Sequence, residues 1–122
     1  MSAHKVTVVV PCYNGGRFFD QMFGCLDAQT FRDFEVILVD DGSIDLDTKA
    51  RLENLPPGVK LIRQENAGLP SARNTGIRAA GSEFILPLDC DDVIEPEFLN
   101  EAVALLSSAP PRVAFVYPHI KL

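Results

Sequence analysis

The chain of 122 residues has no tryptophan and three cysteines, and what it lacks narrows what it can be. Cys12, Cys25 and Cys90 are odd in number and show neither C-x-x-C nor zinc-ligand spacing, so a reduced, intracellular protein fits best. Long hydrophobic runs are missing. The apolar stretch behind Met1 to Lys5 reaches Pro11 after only five residues, Val6 to Val10, too short for a signal peptide or a bilayer span. Dense basic clusters are missing as well. With a net charge of −6 and a sequence pI near 4.7, a nucleic acid polymer is not an expected partner, and a free nucleotide would be repelled unless a cation bridged it to the protein. No repeat, low-complexity tract or linker divides residues 1–122, which read as a single domain. The phosphate-cradling motifs G-x-G-x-x-G and G-x-x-x-x-G-K-[ST] do not occur, so dinucleotide cofactors and P-loop phosphates lose their usual seat. A phosphate-accepting receiver domain would want an acid pair after its first strand and a Lys after its fifth. Here the first strand ends at Pro11, and Lys121 is a tail residue.

One further absence is local. No Lys or Arg stands between Glu83 and Asn100, yet the apolar run Phe84 to Leu88 stops on Asp89, Asp91 and Asp92. Oxygen-only ligands are hard and prefer Mg²⁺, Mn²⁺ or Ca²⁺. A cation held by one or two carboxylates keeps positions open for a phosphate oxygen, so a diphosphate is the natural further ligand. Turn or helix-cap chemistry is the alternative for these acids. Pro96 suits a first helical position, which puts the cap near Glu95 and leaves Asp89 to Asp92 in the preceding loop.

What is present is an alternation. Val6 to Val10 is β-branched without polar alternation, as in a strand covered on both faces. Phe19, Met22, Phe23 and Leu26 recur at helical spacing and predict a helix over Arg17 to Ala28. Phe34 to Val39 is a second strand ending in Asp40 and Asp41, followed by a short helix over Asp47 to Leu55. Val59 to Arg63 is a third strand, and Leu69 to Ala80 a helix with Gly81 as its stop. After the acid-tipped fourth strand, a helix over Pro96 to Ser107 and a fifth strand over Val113 to Tyr117 complete the series. Strands alternating with helices predict an α/β fold, a Rossmann-like three-layer α/β/α arrangement on a mainly parallel sheet. The expected strand order is 3-2-1-4, with Tyr13 and Asp89 flanking the crevice where the order reverses.

Tyr13, Asn14, Asp40, Asp41, Asn66 and Asp89 to Asp92 each follow a strand and so belong at one sheet edge. An aromatic ring such as Tyr13 can stack on a nucleobase, and a carboxylate such as Asp41 can accept from a ring N–H or a ribose hydroxyl. Uracil carries such an N–H and cytosine does not. Equally, Tyr13 reads as a turn residue resting on the first helix, Asp40 and Asp41 as a turn with Gly42 and Ser43, and Arg73 as a helix residue paired with a surface acid.

Four segments in order, Val8 to Asn14, Ala28 to Ser43, Asn66 to Gly76 and Leu88 to Asp92, resemble the opening of the family 2 glycosyltransferases, and together they cover nearly the whole chain. The resemblance implies the nucleotide-binding half of a GT-A fold, a nucleotide-diphospho-sugar donor, most often UDP-linked, and Mg²⁺ or Mn²⁺. By matching position, Pro11 and Tyr13 would line the base pocket and Asp41 would hydrogen-bond the base. Asp89 and Asp91 would contact ribose and metal through the D-x-D signature, with Asp92 a further metal ligand and Arg73 near base or diphosphate. An inverting transfer needs a general base for the acceptor hydroxyl; in this family it lies in the second half of the domain. No residue here is nominated for it, His119 being a tail residue.

The expectation is therefore a donor-binding fragment of a longer, cytoplasmic or membrane-peripheral enzyme, its acceptor an unassigned saccharide, lipid or protein. An open sheet edge would favour self-association. The alternatives are a non-catalytic binding or oligomerisation module of the same fold and a sugar nucleotidyltransferase. The latter would want a basic, Gly-rich loop where Cys12 to Gly16 are uncharged.

Overall fold

The structure, a computed structural model, describes residues 4–108. Its elements alternate: β1 (Val6–Cys12), α1 (Phe19–Asp27), β2 (Phe34–Asp40), α2 (Leu46–Leu52), β3 (Val59–Arg63), α3 (Leu69–Ala79), β4 (Phe84–Pro87) and α4 (Phe98–Ser108). All four strands are parallel and lie in the order β3-β2-β1-β4, the arrangement expected from the alternation. The expected fifth strand, Val113 to Tyr117, falls outside the described residues.

β1 is buried at every position because it is central and covered on both faces. On one face Val8, Val10 and Cys12 pack with Phe19, Met22 and Leu26 of α1 and Leu52 of α2. On the other, Ile37 and Val39 of β2 meet Ala72 of α3. There α3 rides close to the sheet, since a Cβ on Gly76 would stand 2.3 Å from Val9 Cγ1 and 3.2 Å from Val39 Cγ2. Leu99 of α4 is buried, and its backbone N–H donates to the side chain of Gln29 just beyond α1.

Several boundaries differ from the sequence reading for local reasons. β1 does not stop at Pro11 but runs on to Cys12. In a parallel strand alternate residues address opposite neighbours: Val9 accepts from Leu88 after β4, and Cys12 from Asp41 after β2. Pro11 therefore turns its donorless side toward β4, past that strand's end, where no ladder bond is lost. Arg17 lies in a turn of 3-10 helix, Gly16–Phe18, before α1 begins. Asp45 caps α2 by accepting from the Thr48 N–H, which moves that helix start to Leu46. Gly81 is not a left-handed stop: α3 ends on Ala80 in an extended conformation. α4 starts at Phe98, two residues after Pro96, because the Phe98 N–H closes a turn on Glu95.

Candidate functional site

The sheet edge where the strands end is stitched together by its loops. Asn14 adopts φ 55°, a left-handed conformation that asparagine tolerates, and its Oδ1 accepts from the N–H groups of Ile44 and Asp45. Its own N–H donates to Ser43 Oγ, while Asp40 Oδ1 accepts from the Ser43 N–H. Thr48 Oγ1 accepts from the Gly16 N–H and donates to Asp45. The loops after β1 and β2 thus form one unit, holding Tyr13 next to that hinge with its side chain 40% exposed. The residue lies in the bend directly after β1 and is open to solvent at the edge.

Asp41, directly behind β2, is 1% exposed. Its Oδ1 accepts from Gln64 Nε2 and the Ala67 N–H at 2.8 Å each, and its Oδ2 from Asn66 Nδ2 at 3.1 Å and the Gly68 N–H at 3.0 Å. A carboxylate offers about four lone-pair sites, so the loop after β3 fills it. Burial pushes its pKa up, but the bonds from Ala67, Gln64 and Gly68 outweigh this and leave it below the usual carboxylate value. A deep, ionised acid thereby gathers the loop that launches α3. Gly42, at φ +77°, permits this closeness: a Cβ there would meet the Asn66 nitrogen at 2.9 Å.

The acids after β4 are treated differently. Asp91 and Asp92 are exposed and Asp89 is half-buried. One oxygen from each lies within 4.8 Å of the others. The turn is closed by the Asp92 N–H donating to the Asp89 carbonyl at 3.0 Å. It is anchored to β1 by the Cys90 thiol, which donates to the Pro11 carbonyl at 3.2 Å. The acids, Pro11 and Tyr13 thus share one edge. Burial, followed by repulsion from Asp89 and then Asp91, raises the Asp92 pKa above its ordinary value.

Charge missing from the local sequence is supplied in part by α3. Arg73 donates to Asp89 Oδ1 at 3.2 Å, so the surface acid it pairs with belongs to the cluster itself. One guanidinium against three carboxylates leaves an excess of negative charge suited to a divalent cation. The donor set fits that group: it is all oxygen, and oxygens on opposite sides of a Mg²⁺, Mn²⁺ or Ca²⁺ ion stand about 4 to 5 Å apart.

Pro11, Tyr13, Asp41, Arg73, Asp89, Asp91 and Asp92 all lie at this edge, but Asp41 faces inward onto the chain and the others border the acids or the β1 loop. Gln64 and Ser43 were not legible as members. Only their position, one and three residues behind a strand end, marks them. A groove of about 490 Å³ between α1 and α2, lined by Phe19, Phe23, Arg51, Leu55 and Pro56 among others, shares no residue with this edge. Among the described residues no helix is long and apolar enough to cross a membrane.

A parallel sheet in the order 3-2-1-4 with flanking helices matches the GT-A glycosyltransferase fold. The family model "Glycosyl transferase family 2" matches residues 7–120, and the chain belongs to that family. Among curated relatives, the glycosyltransferase GlyA of Streptococcus pneumoniae is 34% identical over 98 residues, covering 79% of this chain and 14% of GlyA. Among solved structures, residues 1–349 of Staphylococcus aureus TarS in complex with UDP-GlcNAc align with a TM-score of 0.76 at 34% identity, covering 84% of this chain and 31% of that one. The mannosyltransferase PcManGT of Pyrobaculum calidifontis, in complex with GDP-Man and Mn²⁺, aligns with a TM-score of 0.75 at 29% identity, covering 89% and 33%. The chain spans between 14% and 34% of the length of these and other curated relatives.

Proposed function

We propose that this chain is the donor-binding part of an inverting glycosyltransferase, which takes a sugar from a UDP-linked donor with the aid of Mg²⁺ or Mn²⁺. The observation that carries the reading is the gathering of Asp89, Asp91 and Asp92 oxygens within 4.8 Å at the edge that also presents Tyr13. TarS, whose structure contains UDP-GlcNAc, supports a uridine donor, and PcManGT, with GDP-Man and Mn²⁺, supports a divalent ion.

In this reading Pro11 and Tyr13 line the base pocket, the Tyr13 ring stacking on uracil. Asp41 reads the base N–H, but its lone pairs are already filled, so the base replaces the Gln64 or Asn66 amide rather than adding to them. Asp89, oriented by Arg73, meets the ribose, and Arg73 also faces the diphosphate. Asp91 and Asp92 hold the cation, which supplies charge neutralisation on the departing diphosphate. The general base and the acceptor site belong to other parts of the enzyme, the acceptor being a hydroxyl of a saccharide, lipid or protein.

Calorimetry tests this directly. UDP should bind at least about tenfold more tightly with Mn²⁺ than with a chelator, and Asp91→Ala should abolish the difference while leaving the fold intact. Equal affinity with and without the metal in the unaltered protein would overturn the assignment.

A further inference from the structure

Two of the three cysteines meet beside the acids. The register of β1 on β4 pairs Val6 with Phe84 and runs to Val9 with Pro87, and continuing it three residues sets Cys12 opposite Cys90. β4 itself ends at Pro87, and Cys90 stands in the turn beyond it, held against β1 by its thiol's bond to the Pro11 carbonyl. The side chains also share one side of the sheet, since both belong to the cluster built on Val8 and Val10. Both sulfurs crowd the position a Cβ on Gly15 would take, Cys90 Sγ at 3.1 Å and Cys12 Sγ at 3.7 Å. Cys25 stands apart on α1, its thiol donated to the Met22 carbonyl.

We propose that Cys12 and Cys90 form an oxidisable dithiol that a peroxide converts to an intramolecular disulfide, and that this crosslink lowers the divalent-cation affinity of the adjoining carboxylates. One sulfur attacks a peroxide oxygen, giving a sulfenic acid and releasing water. The second sulfur then attacks the first, the S–S bond forms and the hydroxyl leaves as a second water. The two thiols lose two electrons in all, and the peroxide takes them up. The crosslink acts on the acids because Cys90 sits between Asp89 and Asp91. Pulling its sulfur from the Pro11 carbonyl onto Cys12 re-aims the turn that brings their oxygens together. The second half of the proposal rests on the cation reading above; the first does not.

The test uses the full chain treated with hydrogen peroxide, alkylated under denaturing conditions and mapped by peptide mass. The expected product joins the Cys12 and Cys90 peptides with a loss of about 2 Da and reverts with dithiothreitol. It should form equally in Cys25→Ser and not in Cys12→Ser or Cys90→Ser. Mn²⁺ affinity, read by calorimetry, should fall about tenfold on oxidation and return on reduction. Cys12 and Cys90 remaining fully alkylatable after peroxide, or a crosslink made through Cys25, would overturn the dithiol. A crosslinked protein with unchanged Mn²⁺ affinity would overturn its effect on the acids. A reduced protein that binds no Mn²⁺ would instead sink the cation reading, with the mass result still deciding the crosslink.

Discussion

Asp41 and Asp91 lie on opposite sides of β1 at the same end of the sheet, one behind β2 and the other behind β4. Asp41 is 1% exposed and receives four hydrogen bonds from the loop after β3. Asp91 is exposed, and one of its oxygens lies within 4.8 Å of an oxygen from each of two more carboxylates. The residue type is identical and the surroundings are opposite. A carboxylate whose lone pairs are filled by its own chain sets the shape of the edge. Carboxylates held together against their mutual repulsion, exposed as Asp91 and Asp92 are, stand open to solvent at a cost in stability.

The largest expected break in this contrast is Asp41→Ala. It strands the Gln64 and Asn66 amides and the N–H groups of Ala67 and Gly68, and should destabilise the fold by about 3 kcal/mol or more in chemical denaturation. Asp91→Ala, on the exposed side, should change stability by no more than about 0.5 kcal/mol. Similar losses from the two variants would erase the distinction.

Next in size is the effect of Arg73→Met, which removes the guanidinium from Asp89 and leaves the cluster more negative. Titrated with Mn²⁺ alone, this variant should bind a few-fold more tightly than the unaltered protein, and UDP with Mn²⁺ should bind more weakly. Weaker binding of the bare ion would mean that Arg73 positions the acids more than it neutralises them.

Acid separates the two sites without mutation. The Asp41 pKa is lowered, so the stability it contributes is present above the unfolded carboxylate value and is lost only as pH falls through its depressed folded value. The Asp92 pKa is raised, so its negative charge, which the proposed cation site would use, is lost at a higher pH than for an ordinary carboxylate. On acidification Mn²⁺ binding should disappear first and circular dichroism should change later. Coincident transitions would count against the proposed cation site at Asp92 and the structural contribution of Asp41.

The smallest effect expected is Asp92→Asn, which relieves repulsion from Asp89 and Asp91. It should stabilise the ion-free protein by up to about 0.5 kcal/mol, visible as a slight rise in Tm, while costing Mn²⁺ affinity.

Much of this edge was legible in residue order, because strand ends in a parallel sheet converge whatever separates them along the chain. The third strand has the bounds its pattern predicts, Val59–Arg63, and the order β3-β2-β1-β4 is the one expected. What stayed hidden depends on contacts between distant segments. The missing positive charge near Asp89 comes from Arg73, sixteen residues earlier and on a helix. Nothing in Asp41-Gly42-Ser43 announces that Gln64 to Gly68 will close over the Asp41 carboxylate. Pro11 read as a strand end because a missing N–H is harmful only on the side that has a partner.

Gly76 lies one helical turn beyond Arg73, wedged against Val9 so tightly that no methyl group fits. The helix works as a lever resting on that bare spot. Gly76→Ala would lift it from the sheet and draw the guanidinium back from Asp89, so that a change in the oily interior would register at the rim as an altered electrical balance.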